Sequence, residues 1–221
     1  AGLFHDAGKF AQGRYHEGDR LEEEQSVECL RELGERHGLE QVLVDQVSEA
    51  ILQLYRDDPQ PSGLAGVLFD ADNLDKLGPL GVASYFTKLG LRGQGVSRGA
   101  LHRLTVELTY ARHASGCMFT ESGRKMARAR APATIRFIHD LLSTLREDGL
   151  YDFHVEEVLL EGLAIDVVTP DSCSCGRGPE RTIWKEPGLK CVEIHLRHAC
   201  TACGDRLQLK FCEPRLAAEE P

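Results

Sequence analysis

Leu3-Phe4-His5-Asp6-Ala7-Gly8-Lys9 decides how this 221-residue chain is read. A short apolar turn delivers an adjacent histidine and aspartate, and a glycine leaves room before a lysine. Imidazole nitrogen and carboxylate oxygen together suit a borderline or hard divalent ion such as manganese, iron, cobalt or zinc. The chain carries its own control. His139-Asp140 recurs inside Arg136–Leu142, where Ile135, Ile138, Leu142 and Leu145 predict the buried stripe of an ordinary amphipathic helix. No Gly-Lys follows that copy and no acidic cluster answers it, so it reads as structural. The first copy is answered by Val67-Leu-Phe-Asp70-Ala-Asp72-Asn-Leu-Asp75-Lys-Leu-Gly78. On a helix Asp72 and Asp75 share a face while Asp70 points away, so only one of Asp70 and Asp72 can aim at an ion held by His5 and Asp6. Val67, Leu68, Ala71 and Leu74 interleave with the acids and place a carboxylate partly inside, where it needs a partner or a cation.

Together with Met118-Phe-Thr120-Glu-Ser-Gly-Arg124-Lys-Met-Ala127-Arg128-Ala-Arg130, these elements resemble the HD superfamily of metal-dependent phosphohydrolases over about the first 150 residues. The resemblance implies an all-helical domain that hydrolyses a phosphoester or phosphoanhydride, with a nucleotide among the candidate substrates. It makes His5, Asp6 and Asp72 ligands of a divalent metal (Mn, Fe, Co, Ni or Zn), with Asp6 also part of the catalytic set, and sets Lys9 near the phosphate. Arg124 and Arg128, four apart behind a Thr120 N-cap, are either a solvated cationic face or guanidinium forks for phosphate. The family's first metal histidine precedes the HD pair, which leads us to expect a fragment whose natural form carries a preceding helix with that histidine. Two further histidine motifs read here as Glu23-Glu-Gln-Ser26 and Ala50-Ile-Leu-Gln-Leu54, so the number of metals, one or two, stays open. A second reading is a non-catalytic regulatory protein with a degenerate HD pocket and a docking module.

A hydrophobic content of 42% with 28% charged residues fits a globular chain, and no apolar run has the length of a membrane span. The net charge of −9 opposes nonspecific nucleic-acid binding, which needs a basic footprint, so a nucleic-acid role has no positive support. Six of eight cysteines crowd between 173 and 212, a pattern that predicts metal rather than disulfides and a reducing, cytoplasmic setting.

Apolar spacing predicts helices beginning near Leu21 (Val27, Leu30, Leu33), across Val44–Leu54 with Leu54 in the core, and over 82–89 and 101–112. His16 in the polar loop 12–20 could approach the metal and Arg56 a substrate, though both suit a surface. Pro132 is expected to start a new segment. From residue 153 the pattern changes: Val158–Val168 predicts a strand or two short ones, which divides the chain into 1–153, an HD-type domain, and 154–221, a small β domain. Cys191–His198 and Arg206–Cys212 alternate as a hairpin around Cys200-Thr-Ala-Cys203, in a register that sets Cys191 opposite Cys212. With Cys173-Ser-Cys175 this module resembles a zinc ribbon, a structural zinc held by Cys173, Cys175, Cys200 and Cys203. The competing ligand set is Cys173, Cys175, Cys191 and Cys212. The fold expected is therefore mainly α, helices followed by a small β module.

Overall fold

In the computed structural model, residues 2–9, 21–54, 60–188 and 191–216 are described; His16 and Arg56 lie outside them. The chain forms two compact units, residues 1–73 with 118–123, and 74–117 with 124–221. In the first, α1 (Glu22–His37) opens with three glutamates, whose charge suits the positive end of a helix, and closes on Gly38. Helix α2 (Gln41–Gln53) and α3 (Gly63–Leu74) follow. Val27, Leu30, Val44, Val47, Ile51, Leu54, Leu68 and Phe69 make one core, with Phe4 and Phe119 packed against it. Leu54 is 1% exposed and fills the core, as its spacing predicted. The stripe expected on α3 is rotated: Val67 is 55% exposed, while Ala65, Leu68 and Phe69 turn inward.

In the second unit, α4 (Gly78–Leu91) starts earlier than its apolar residues suggested, because Pro79 suits a first helical turn. Helix α5 spans Arg98–Cys117, and α6, which begins in the first unit, spans Glu121–Glu147. Pro132 does not start a segment; it lies inside α6. Its ring is exposed, so the carbonyl it leaves without an intrahelical partner can face water, while Ala127, Ala131, Thr134, Ile138 and Leu142 bury the other side. His139 and Asp140 are exposed on this helix, as the control reading required.

Strands β1 (Phe153–Leu160) and β2 (Leu163–Pro170) form an antiparallel hairpin through the two-residue turn Glu161-Gly162, both at positive φ. The change of pattern seen at 153 is the start of β1. The strands beyond it nevertheless pack on α5. Thr105 and Thr109 Oγ1 accept the N–H groups of Val168 and Asp166, at 2.9 and 3.2 Å. His102 Nδ1 and His113 Nε2 donate to the carbonyls of Val168 and Ala164, and Arg112 grips the Asp166 carboxylate with two bonds of 2.6 and 2.8 Å. A polar stripe on α5 thus closes the free edge of β2, which would otherwise present unpaired backbone groups.

A second sheet, ordered β3-β4-β5, is built from Glu180–Pro187, Val192–Ala199 and Arg206–Cys212. Ile194, Leu196 and Leu209 share a core with Leu163, Ile165 and Val167 of the first. Strand β3 was not foreseen; it is an edge strand whose Glu, Arg, Lys and Pro residues blunt the apolar alternation. The hairpin register is offset by two from the expected one: Glu193, not Cys191, faces Cys212. Cys191 and Cys212 form a disulfide, which corrects, for these two of the six clustered cysteines, the expectation of metal rather than disulfides. Among the described residues no helix is long and apolar enough to cross a membrane.

Candidate metal centres

The HD turn is a tight coil held by backbone bonds from Ala7 N to Phe4 O and from Lys9 N to Asp6 O, at 3.0 and 3.1 Å. Phe4 anchors it in the first core. Gly8 allows its close approach to α1, because a Cβ there would lie 2.0 Å from the Glu22 carbonyl oxygen. His5 Nδ1 lies 2.8 Å from the Gly2 carbonyl oxygen, which can only accept, so Nδ1 carries the proton and Nε2 is left as the electron-pair donor of the neutral ring. Nε2 sits 3.5 Å from Asp6 Oδ1 and 3.5 Å from Asp72 Oδ1. One ligand atom from each of these half-buried residues lies within 4.8 Å of the other two.

The electrostatics of this cluster invite a cation. A hydrogen bond to Asp72 raises the His5 pKa above its ordinary value, with help from Gly2 and both carboxylate charges and against burial. Burial by itself would lower Lys9, but its bond to Asp6 and the charges of Asp6, Asp72 and Glu22 outweigh it and hold the ammonium above its usual range. Lys9 Nζ is 2.6 Å from Asp6 Oδ1. Two carboxylates and a neutral imidazole fit a divalent ion in donor type and in charge, and backbone anchoring of the far imidazole nitrogen is what a metal-bound histidine needs.

Asp70, the other aspartate weighed for this role, is elsewhere. It is 3% exposed and accepts bonds from Phe119 N, Thr120 N and Thr120 Oγ1, at 2.8, 2.8 and 2.6 Å. Thr120 Oγ1 in turn accepts Gly123 N at 2.9 Å, capping α6. Nothing local in the sequence announced this latch, since its halves are about fifty residues apart. Asp75 lies beyond the end of α3 and is exposed. Arg124 and Arg128 lie on the part of α6 that belongs to the second unit, half-buried and exposed respectively.

Residues 1–77 match the family model of the HD domain. HD domains include metal-dependent phosphohydrolases, and the match covers each member of the His5, Asp6, Asp72 cluster together with Lys9. No curated protein and no solved structure matches the chain.

The cysteine module, outside the HD match, makes the second cluster. Cys173, Cys175, Cys200 and Cys203 bring their sulfurs within 4.8 Å of one another, an arrangement that fits a zinc-ribbon-like module. Neighbouring sulfurs stand 3.0, 3.6 and 3.7 Å apart, against about 3.8 Å for the edge of a tetrahedron with Zn–S bonds of about 2.3 Å. Gly176 and Gly204, both at positive φ, close the two knuckles through bonds back to Cys173 O and Cys200 O. Arg98, at the start of α5, donates to Ser172 O at 2.8 Å and lies 3.7 Å from Asp205, so one guanidinium holds both knuckles. The hydrogen bond with Cys175 pulls the Cys173 thiol down to about 6, and the same interaction pushes Cys175 up. The competing ligand set is not assembled, because its Cys191 and Cys212 are joined to each other. Cys117, buried in α5 and pushed up to about 12 by that burial, is an inert thiol.

Proposed function

We propose that the chain is a metal-dependent phosphohydrolase whose centre is His5, Asp6 and Asp72. The observation that carries this reading is the convergence of their ligand atoms within 4.8 Å inside a segment matching the HD domain. A divalent ion bound there supplies Lewis acidity toward a phosphoryl oxygen and a water of lowered pKa. The protein's own part is orientation and charge. Gly2 fixes the tautomer of His5, α3 presents Asp72, and Asp6 holds Lys9 charged beside the site. An ammonium in that position offsets the charge of a phosphate group. The substrate class is a phosphoester or phosphoanhydride, with nucleotides the first to test. The four-cysteine cluster is proposed to hold a structural zinc, since four thiolates leave no open position for chemistry. Its four free thiols are the support for a cytoplasmic setting, and the Cys191–Cys212 disulfide opposes it. We keep the division of roles at residue 153, with metal chemistry in the helical part before it and the thiol cluster in the knuckles between the strands after it.

The test is phosphate release from a panel of nucleotides and phosphodiesters with Mn, Fe, Co, Ni or Zn added to metal-stripped protein. Activity that requires a divalent ion and disappears in His5→Ala supports the reading. The Lys9–Asp6 pair at 2.6 Å favours one alternative, a regulatory pocket closed by its own lysine. Saturable metal binding with no turnover on any substrate would select it.

A further inference from the structure

We infer that Ser26 is a positioning residue of the HD metal centre; the inference rests on the metal reading of that centre. Its side chain is fully buried, at 0% exposure, on the face of α1 that meets the HD turn. The hydroxyl works in both directions. It accepts the Gly8 N–H at 2.8 Å and donates to the His5 carbonyl at 2.9 Å. These two backbone groups flank Asp6, so one hydroxyl closes a ring around the residue that supplies a ligand and fixes the peptide plane of another.

The contact is strongly specified. Gly8 has to lack a side chain to come this close, because an added Cβ would stand 2.0 Å from Glu22 O and 2.9 Å from Gln25 Cβ. The bare Gly8 backbone is thus pressed onto α1 one turn from Ser26, and the Ser26 hydroxyl meets its N–H there. Without it, a buried N–H and a half-buried carbonyl lose their partner together, and the turn is expected to shift toward water. His5 and Asp6 would then leave the arrangement that sets His5 Nε2 3.5 Å from Asp6 Oδ1 and 3.5 Å from Asp72 Oδ1. Hydrogen bonds behind a metal ligand set its direction, and removing them typically lowers metal affinity about 10- to 100-fold.

The test measures Mn²⁺ affinity by titration, followed by its paramagnetic signal, on folded, zinc-loaded full chain. Wild type, His5→Ala, Ser26→Ala, Ser26→Thr and Ser48→Ala are compared, with thermal melting recorded for each. Ser48 is a control of the same type, a buried serine of the first unit whose hydroxyl has no hydrogen-bond partner among the described residues. We expect Ser26→Ala to weaken Mn²⁺ binding at least tenfold while the protein stays folded at the titration temperature. Ser26→Thr, which keeps the hydroxyl, should recover most of the affinity, and Ser48→Ala should bind like wild type. A role confined to stability would lower the melting temperature and leave affinity unchanged, which would overturn the inference while the metal reading stands. Should Ser26→Ala not fold, equal weakening in Ser26→Thr and Ser48→Ala would overturn it as well. Failure of the metal reading looks different: wild type and His5→Ala would bind Mn²⁺ alike, or not at all, and the inference would fall with it.

Discussion

Two positions on α3 separate Asp70 from Asp72, and a helix at 3.6 residues per turn sends them about 200° apart. Asp72 meets His5; Asp70 meets the start of α6. Their substitutions should therefore fail in different ways. Asp72→Ala is expected to lose divalent-metal binding and metal-dependent turnover with little change in melting temperature. Asp70→Ala leaves two backbone N–H groups and a hydroxyl without their acceptor and should cost about 2–4 kcal/mol in chemical denaturation. The reverse pattern would show that the ligand has been misassigned. Much of this cluster is legible in the chain, because His5 and Asp6 are adjacent and the acids of α3 follow a helical spacing. Asp70's role is not legible, nor is that of Ser26, because each depends on which residue a distant segment brings to it.

At the scale of elements, helix α5 explains what periodicity misses. Its apolar residues announce a helix, but the spacing of His102, Thr105, Thr109 and Arg112 has meaning only once β2 lies alongside. The same helix brings His102 edge-on to His198 of β4, with ring centroids 4.9 Å apart and both residues at most 2% exposed. Burial, with the charges of His102, Arg181 and His154 and against that of Glu156, lowers the His198 pKa to about 4; burial likewise lowers His102. The folded state then binds fewer protons than the unfolded one between about pH 4 and 6.5. Stability is full above 6.5 and falls as pH drops toward 4, by up to about 3 kcal/mol for His198. His198→Leu should flatten that slope relative to wild type in melts at matched pH; an unchanged slope would contradict it. Pro132 supplies a second test. Pro132→Ala restores an N–H donor inside the continuous helix α6 and should raise stability by about 1–3 kcal/mol in chemical denaturation; an unchanged or lower stability would contradict it.

Over the whole molecule, the order of helices and then strands was readable, while the way the strands are held was not. The sequence pattern places the thiols in two knuckles, yet β1 and β2 depend on α5 for their edge and part of their core. A fragment of residues 154–221 should thus bind zinc through its four cysteines but hold the β1–β2 hairpin poorly, read as fast amide exchange at Asp166 and Val168. Slow exchange there would show that α5 is dispensable. In the full chain, Cys200→Ser should lose the zinc and loosen β3–β5, because structural zinc contributes directly to folding. The central claim, that His5, Asp6 and Asp72 together hold a divalent ion, is tested most directly by anomalous diffraction at the manganese edge from crystals grown with Mn²⁺. The account predicts a peak about 2.0–2.3 Å from His5 Nε2 and from one carboxylate oxygen each of Asp6 and Asp72. A fully soaked crystal with no peak among these three residues, or with the ion held by other side chains, would contradict it.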